Sequence, residues 1–247
     1  MRRNGSFRAM HVLSSTRIAP RMQRLRLTGN DLHHFDTDAN LHARAHIPAR
    51  WDSDSLETFR AFIAAESREG SELVATRYYT IRRIDADAGW LDIDFALHDT
   101  EGPGCRFACT AKAGDICGLS GPCGLGIKRA NRYLLVGDET ALPAIARITE
   151  NLGDTPAVHT FIFAEPEYFR SSVTNPVSPK NAWIPGEERQ SFFSRLDELR
   201  SAHYSPDDPH FIWIAGERTL VRALNPLLSL TRKNRLLCVP YWGKNDG

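Results

Sequence analysis

The chain has 247 residues, of which 31 are Lys or Arg and 30 are Asp or Glu, so its formal net charge is +1. A chain of this length is expected to form two domains of roughly 100–150 residues each. Its balanced charge excludes a global field that would attract nucleic acid or an anionic membrane, and no apolar run approaches the roughly 20 residues of a membrane-spanning helix.

The amino terminus and the cysteines indicate a protein of a reducing compartment. Residues 1–15 have a basic end without the uninterrupted apolar stretch of a secretory signal, so we expect a cytoplasmic location. The odd number of cysteines and the lack of a Cys-x-x-Cys pair favour buried free thiols over a zinc or iron–sulfur site, and we predict no metal. These cysteines are Cys105, Cys109, Cys117, Cys123 and Cys238.

Short extended segments predict a small antiparallel β-barrel over residues 7–128. Apolar and polar residues alternate most clearly at 22–27 and 90–97, which is typical of half-buried strands. Gly and Pro residues separate the segments, and we expect turns at Gly114-Asp115 and Gly121-Pro122. The segment 51–70 is expected to form a short helix or an insertion at the barrel edge.

From Arg132 onward, buried strands alternate with helices, as in a doubly wound parallel sheet. The predicted strands are 133–136, 158–163, 211–215 and 236–239, and the predicted helices are 142–152, 192–199 and 220–228. The stretch 165–188 is rich in Pro, Ser, Asn and Glu and is predicted to be a surface excursion. The fold class is therefore an antiparallel β-barrel domain over residues 1–129 followed by a doubly wound α/β domain over 130–247.

Two clusters in the barrel half suit a ligand with a phosphate and a planar ring. Residues 77–80, Arg-Tyr-Tyr-Thr, place a guanidinium, a phenol and a hydroxyl along one rim. Residues 98–106 leave a strand, pass through glycines and enter a helix, which suits a pyrophosphate. An edge strand with an exposed arginine, and a plain tight turn, remain the alternatives.

In the second half, residues 137–145 open a helix at the carboxyl end of the first strand, where doubly wound sheets bind ligands. Gly-x-Gly-x-x-Gly is absent, so the pattern indicates no dinucleotide fingerprint. Asp138 and Glu139 would repel a phosphate, so we expect this loop to face a neutral ring or a ribose. The loop at Gly216-Glu217 should converge on the same edge. A capped helix start is the alternative.

Taken in order, these segments resemble the siderophore-interacting proteins, which are FAD-binding ferric-siderophore reductases within the ferredoxin-reductase-like superfamily. The resemblance rests on Arg77-x-Tyr79-Thr80, on Gly121-Pro122-x-Gly124 and above all on Gly-Asp-Glu-Thr-Ala-Leu-Pro-Ala-Ile at 137–145. It runs over nearly the whole chain. It implies that the barrel is a flavin-binding domain and that the α/β domain binds NAD(P)H.

The C-terminal Tyr241-Trp242 pair is expected to cover one flavin face, and a frayed tail with two packing aromatics is the alternative. The resemblance, together with the two barrel clusters and this pair, predicts the cofactor-binding residues. Those for FAD are Arg77, Tyr79, Thr80, His98, Gly102, Gly104, Cys105, Arg106, Asp138, Thr140, Ala141 and Trp242. Those on the nicotinamide side are Glu139, Glu165, Gly216 and Glu217. Glu165 suits a ribose 2′-hydroxyl and so favours NADH, whereas Arg170 would favour NADPH.

Two residues depart from the family pattern. Gly104-Cys105 replaces the Ala-Ser of many relatives, so a weaker thiol replaces a hydroxyl donor. Cys123 replaces an arginine, which removes one cation. The cations that we predict to attract an anionic ferric siderophore are Arg44, Lys128, Arg129 and Lys244.

The implied activity is iron acquisition by an FAD-dependent oxidoreductase that passes electrons from NADH or NADPH to the Fe(III) of a siderophore. No acid–base residue is required, because the cofactor carries the chemistry. The alternatives are a general flavin reductase, a reductase coupled to ferredoxin, and a non-catalytic ferric-siderophore binding protein. We expect a monomer that binds no nucleic acid and does not insert into a membrane.

Overall fold

The chain divides into two compact units, Met1–Gly126 and Ile127–Gly247. The computed structural model describes residues 7–49, 55–64, 73–98, 102–152, 157–164, 181–184, 210–227 and 235–243. No helix within these ranges is long and apolar enough to cross a membrane. Each unit contains its own sheet.

The first unit is a closed barrel of six strands, which confirms the predicted architecture. The strands are β1 (Arg8–Ala19), β2 (Met22–Gly29), β3 (His42–Pro48), β4 (Val74–Asp85), β5 (Trp90–Ala96) and β6 (Ile116–Cys123), and the helices are α1 (Ser55–Ala64) and α2 (Pro103–Thr110). The order around the barrel is β1-β2-β5-β4-β3-β6, and β6 pairs back with β1 in antiparallel register.

Apolar side chains fill the barrel. Alternate residues of each strand point inward, and Leu25, Ile81, Ile93 and Leu119 are fully buried. Removing this apolar surface from water is the main favourable contribution to folding. A barrel filled in this way binds ligands at its rim or on its outside.

The outer face of β5 is also buried, so the predicted half-buried strand is wrong on this point. Asp92 is only 1% exposed, and Arg26 of β2 donates to its two carboxylate oxygens at 2.8 and 2.9 Å. Arg24 binds Asp94 in the same bidentate way at 2.6 and 2.8 Å. Each arginine lies directly opposite its aspartate in the β2–β5 register. The cross-strand pairs therefore cover carboxylates that the alternation alone places in solvent.

The bounds of the strands and helices decide two further predictions for the barrel, the turn at Gly121-Pro122 and the segment 51–70. Gly121-Pro122 lies inside β6, not in a turn; Gly121 has φ 118°, near a register shift between β3 and β6. Within 51–70, the described residues form the helix α1. The turn predicted at Gly114 precedes β6, and its φ of 93° favours glycine.

A polar histidine lies on the outer side of the barrel within an apolar cluster. The two ring nitrogens of His46 lie 3.0 Å from Thr76 Oγ1 and 2.8 Å from Ser120 Oγ. The Phe7 ring lies 5.3 Å from the His46 ring and 4.9 Å from the ring of Phe59 on α1. Burial, with a smaller contribution from the charge of Arg44, lowers the pKa of His46 to about 4.

The second unit is a parallel sheet, as predicted, with five strands where the sequence predicted four. Its strands are β7 (Arg132–Asp138), β8 (Ala157–Phe163), β9 (Asn181–Ile184), β10 (His210–Glu217) and β11 (Leu236–Trp242), and its described helices are α3 (Leu142–Leu152) and α4 (Arg218–Leu227). The strand order is β11-β10-β7-β8-β9. The order reverses between β7 and β10, and such a switch point is where open α/β sheets bind ligands.

Two strands of this sheet differ from the prediction. The stretch 165–188 is not simply an excursion, because β9 lies within it and pairs with the edge of β8. The last strand continues through Trp242 instead of ending at 239, so Tyr241 and Trp242 belong to the sheet and not to a frayed tail. The helix predicted over 192–199 lies outside the described residues.

The environment of His46 predicts a pH-dependent stability. Since folding lowers its pKa from 6.5 to about 4, the folded state favours the neutral ring. This contribution is complete above pH 6.5 and is lost as the pH falls toward 4, with a limit of about 3 kcal/mol. Urea unfolding should therefore show the wild type losing more stability between pH 7.5 and 4.5 than His46→Gln does. The exposed His11 provides the control, His11→Gln, which should keep the wild-type slope. Equal slopes for His46→Gln and the wild type would contradict the prediction.

Candidate functional site

The predicted rim cluster of the first unit lies on β4. Tyr79 is half-buried, and its ring lies 4.3 Å from that of Phe95. Arg77 is exposed, and its Nη1 donates to the backbone oxygen of Thr76 at 3.0 Å. Thr80 is buried. The cross-strand partners of Tyr79 and Arg77 on β3 are both alanines, which leave room beside the two larger side chains.

Tyr79 meets the first turn of α2, so the structure brings the two predicted barrel clusters together. Gly102 is the N-cap of α2 and Pro103 is its first residue. A Cβ added to Gly104 would overlap the Tyr79 hydroxyl. Only glycine therefore lets the phenol approach the helix this closely. Burial raises the pKa of Tyr79, so the phenol stays protonated at neutral pH.

Cys105 connects α2 to the end of β5. Its Sγ donates to the backbone oxygen of Ala96 at 3.6 Å, and the backbone of His98 also hydrogen-bonds to the thiol. Burial raises the pKa of Cys105, which keeps it a neutral thiol. The side chain thus helps to attach the helix to the strand. The side chains of His98 and Arg106 are exposed beside it.

Tyr78 and Arg44 form an outward-facing pair that the sequence reasoning did not connect. Arg44 Nε donates to the Tyr78 hydroxyl at 3.0 Å across the β3–β4 pairing, and Tyr78 is 56% exposed. Burial raises the pKa of Cys123, and the nearby positive charge of Arg44 opposes that shift. A positive charge is therefore present close to Cys123.

In the second unit, the carboxylate of Asp138 points into the protein. Asp138 is 1% exposed. Its Oδ1 accepts from Thr140 N at 2.9 Å and from Thr140 Oγ1 at 2.5 Å. Its Oδ2 accepts from Glu217 N at 2.6 Å and from Trp242 Nε1 at 3.0 Å. Burial raises the pKa of Asp138 and these hydrogen bonds oppose the shift. Asp138 therefore lies at the predicted edge, but its carboxylate faces protein donors.

The neighbouring predicted residues are placed by close packing. Ala141 is fully buried, and its Cβ would overlap a Cβ added to Gly137, so the glycine permits this close packing. Glu217 is buried and accepts a hydrogen bond from the Thr219 hydroxyl. Glu139 and Trp242 are half-buried. The carboxyl edge thus contains two buried acidic residues, Asp138 and Glu217, beside the half-buried Glu139 and Trp242.

Of the predicted cations, Arg44, Lys128 and Arg129 lie within the described residues, and Lys244 does not. Lys128 and Arg129 are exposed at the start of the second unit. The Tyr133 hydroxyl holds their backbone, because it accepts from Ala130 N at 2.8 Å and donates to the Lys128 oxygen at 3.1 Å. Glu165, Arg170 and Lys244 lie outside the described residues and stay predictions.

The cysteines differ in part from the prediction of buried thiols. Only Cys117 is buried, Cys109 is exposed, and the remaining three are intermediate. Burial raises the pKa of Cys117 to about 12. Within the described ranges, no group of three or more His, Cys, Asp or Glu side chains is arranged to hold a metal ion.

Two relatives with similar sequences are named as ferric reductases. The ferric vibriobactin reductase ViuB of Vibrio cholerae is 26% identical over 245 residues, which covers 93% of this chain and 87% of ViuB. The NADPH-dependent ferric-chelate reductase of Escherichia coli is 28% identical over 159 residues, 62% of this chain and 60% of that protein.

A solved structure and two family models all match this chain to siderophore-interacting proteins. The siderophore-interacting protein SipS of Aeromonas hydrophila superposes with a TM-score of 0.80 at 26% identity, covering 99% of this chain and 94% of SipS. Residues 11–125 match the family model of the siderophore-interacting FAD-binding domain, and residues 130–245 match that of the siderophore-interacting protein. The order of motifs, the barrel, the parallel sheet and these matches place the chain in one family. This chain belongs to the siderophore-interacting protein family.

Proposed function

We propose that the chain is an FAD-dependent reductase of ferric siderophores, with NADH or NADPH as the electron donor. One NAD(P)H would reduce two Fe(III) ions to Fe(II) and leave NAD(P)⁺ and a proton. The observation that carries the proposal is the meeting of Tyr79 with the first turn of α2, within a barrel that matches an FAD-binding domain. The ferric reductases among its relatives support the same activity.

The start of α2 fits a pyrophosphate. No side chain caps it, Gly102 is its N-cap in an extended conformation, and its first turn contains no acidic residue. The amide N–H groups of Gly104 and Cys105 follow Pro103, which has none. A helix start of this kind favours an anion through its free amides and its dipole.

Arg77 and Tyr79 suit the other parts of FAD. The exposed guanidinium of Arg77 can pair with a phosphate, and the ring of Tyr79 offers a planar surface. His98, Thr80 and Arg106 complete the proposed set. When bound, FAD accepts a hydride from nicotinamide and passes electrons on singly. The protein's own residues contribute binding and orientation, with no acid–base group.

The carboxyl edge of the parallel sheet is the proposed nicotinamide site. It lies at the switch point between β7 and β10, where such sheets bind ligands. Glu139, Gly216 and Glu217 are the residues predicted on the nicotinamide side, and Trp242, which was predicted on the flavin side, ends the strand beside them. Glu165 is proposed to select between NADH and NADPH.

Iron release would follow from reduction, because Fe(II) binds hard oxygen chelators less tightly than Fe(III) does. Many ferric siderophores are anionic, so positive side chains should attract them. Arg44, Lys128, Arg129 and Lys244 are the proposed cations. Of these, Lys128 and Arg129 are exposed.

The activity is tested by the colour of the purified protein. We expect a yellow protein that bleaches under anaerobic conditions with NADH or NADPH and recovers its colour when a ferric siderophore is added. Absorbance near the flavin maximum measures both steps. Bleaching by reduced ferredoxin alone would indicate a ferredoxin-coupled reductase, and a colourless protein that binds the chelate would indicate a delivery protein.

The contact between Gly104 and Tyr79 predicts an effect of Gly104→Ala on FAD binding. Overpacking costs about 1–3 kcal/mol, and this must outweigh the roughly 1 kcal/mol that alanine gains in helix propensity. We expect a lower melting temperature of the FAD-free protein and FAD binding weakened by about tenfold. Flavin titration and thermal unfolding measure these effects.

Its matched control is the double variant Gly104→Ala with Tyr79→Phe. Phenylalanine lacks the hydroxyl that the new Cβ overlaps and leaves Cζ 3.2 Å away, a contact that a small shift relieves. The double variant should therefore melt at a higher temperature than Gly104→Ala alone. A melting temperature and FAD affinity of Gly104→Ala equal to the wild-type values would contradict the contact.

The exposed cations predict a charge-dependent KM. Replacing Lys128 and Arg129 by alanine should raise the KM for an anionic ferric chelate by about three- to tenfold, and the effect should shrink at high salt. The KM for a neutral ferric hydroxamate should stay the same. Arg83→Ala, which removes an exposed arginine of β4, is the control. An equal change for both chelates would remove these cations from the proposed site.

A further inference from the structure

The carboxylate of Asp138 connects the ends of three adjacent strands. Asp138 ends β7, Glu217 ends β10 and Trp242 ends β11. In the sheet, β10 lies between the other two strands. The Asp138 side chain therefore extends across the end of β10 and accepts a hydrogen bond from the indole N–H of Trp242 at 3.0 Å.

Gly216 leaves the path of this side chain open. It has φ 139°, a conformation that favours glycine, and a Cβ there would lie 2.6 Å from Asp138 Oδ2. The next residue, Glu217, then directs its backbone N–H to the same oxygen at 2.6 Å. The glycine thus permits one carboxylate oxygen to accept hydrogen bonds from both β10 and β11.

The other carboxylate oxygen is used by the loop that opens α3. Thr140 donates its backbone N–H and its hydroxyl to Oδ1, at 2.9 and 2.5 Å. Four donors from three separate segments therefore converge on one buried group. Buried acceptors with complete hydrogen bonding hold their surroundings in one arrangement.

The indole of Trp242 is held at its nitrogen and is only half-buried. Tyr241 beside it packs edge-on against Trp213, with ring centroids 6.3 Å apart. Part of the Trp242 ring system is therefore left open at the carboxyl edge of the sheet. A planar aromatic surface in a fixed orientation suits stacking by a nicotinamide ring.

We propose that Asp138 is a positioning residue for NAD(P)H, which acts by holding the Trp242 indole in place at the carboxyl edge of the sheet. The proposal rests on the reductase activity proposed above. Asp138 itself does not touch the nucleotide, because its carboxylate is enclosed by protein donors. Trp242 provides the contact, and Asp138 sets its orientation.

The test compares Asp138→Asn, Trp242→Phe and the double variant in anaerobic flavin bleaching at increasing NAD(P)H concentration. Asparagine replaces one acceptor oxygen by an NH₂ group, so one pair of donors loses its partner. We expect Asp138→Asn to raise the half-saturating NAD(P)H concentration by about tenfold, with the limiting rate changed less than about twofold. Trp242→Phe keeps an aromatic ring but loses the N–H, and should raise half-saturation by about threefold.

The double variant separates a positioning role from a general structural one. If Asp138 acts through Trp242, Asp138→Asn should have a clearly smaller effect in the Trp242→Phe background than in the wild type. An effect of the same size in both backgrounds would overturn the proposal, and so would an unchanged half-saturation in Asp138→Asn. The flavin content of each variant is measured alongside, and rates are expressed per bound flavin, so that a loss of FAD is distinguished from a weaker response to NAD(P)H.

Two further controls complete the design. Glu150→Gln removes an exposed carboxylate of α3 and should leave half-saturation unchanged. If Asp138→Asn does not fold, Trp242→Phe decides alone, and wild-type half-saturation in that variant overturns the proposal. A wild-type protein that neither NADH nor NADPH bleaches would instead reject the nucleotide-dependent function, and this inference with it.

Discussion

A buried carboxylate must have its oxygens hydrogen-bonded, and in the second unit this requirement links the ends of β7, β10 and β11. Asp138 meets it with donors from the α3 loop, from the end of β10 and from the end of β11. Moving any one of these segments would leave either the carboxylate or a donor without its partner. The loops around the switch point are therefore held by one shared group as well as by the strand pairing.

The barrel uses a related device at the start of α2. Here a phenol occupies the space of a missing Cβ at Gly104, as a carboxylate does at Gly216. In both places, one in a helix and one in a strand, glycine lets a polar side chain from a separate strand come close to the backbone. The adjoining residue adds a hydrogen bond in each case: Cys105 donates to the Ala96 carbonyl, and Glu217 donates its N–H to Asp138. Each candidate site thus depends on a close approach that a larger residue would prevent.

Periodicity predicted most of the described fold, and the exceptions have physical causes. The helix predicted over 142–152 begins and ends at the observed residues. By contrast, β9 has only four residues and lies in a polar stretch, and its strand conformation depends on pairing with β8. The burial of Asp92 depends on Arg26 lying opposite it on β2. A pattern within a single segment contains neither kind of information.

The same limit applies to the candidate site, where the sequence predicted the location of residues 137–141 but not the direction of the Asp138 side chain. That direction depends on donors at Glu217 and Trp242, which are distant in sequence. Both Asp138 and Glu139 were expected to repel a phosphate. With Asp138 buried among N–H and O–H donors, much of its negative charge is compensated within the protein. The carboxyl edge is therefore less unfavourable to the phosphates of a nucleotide than its acidic sequence indicates.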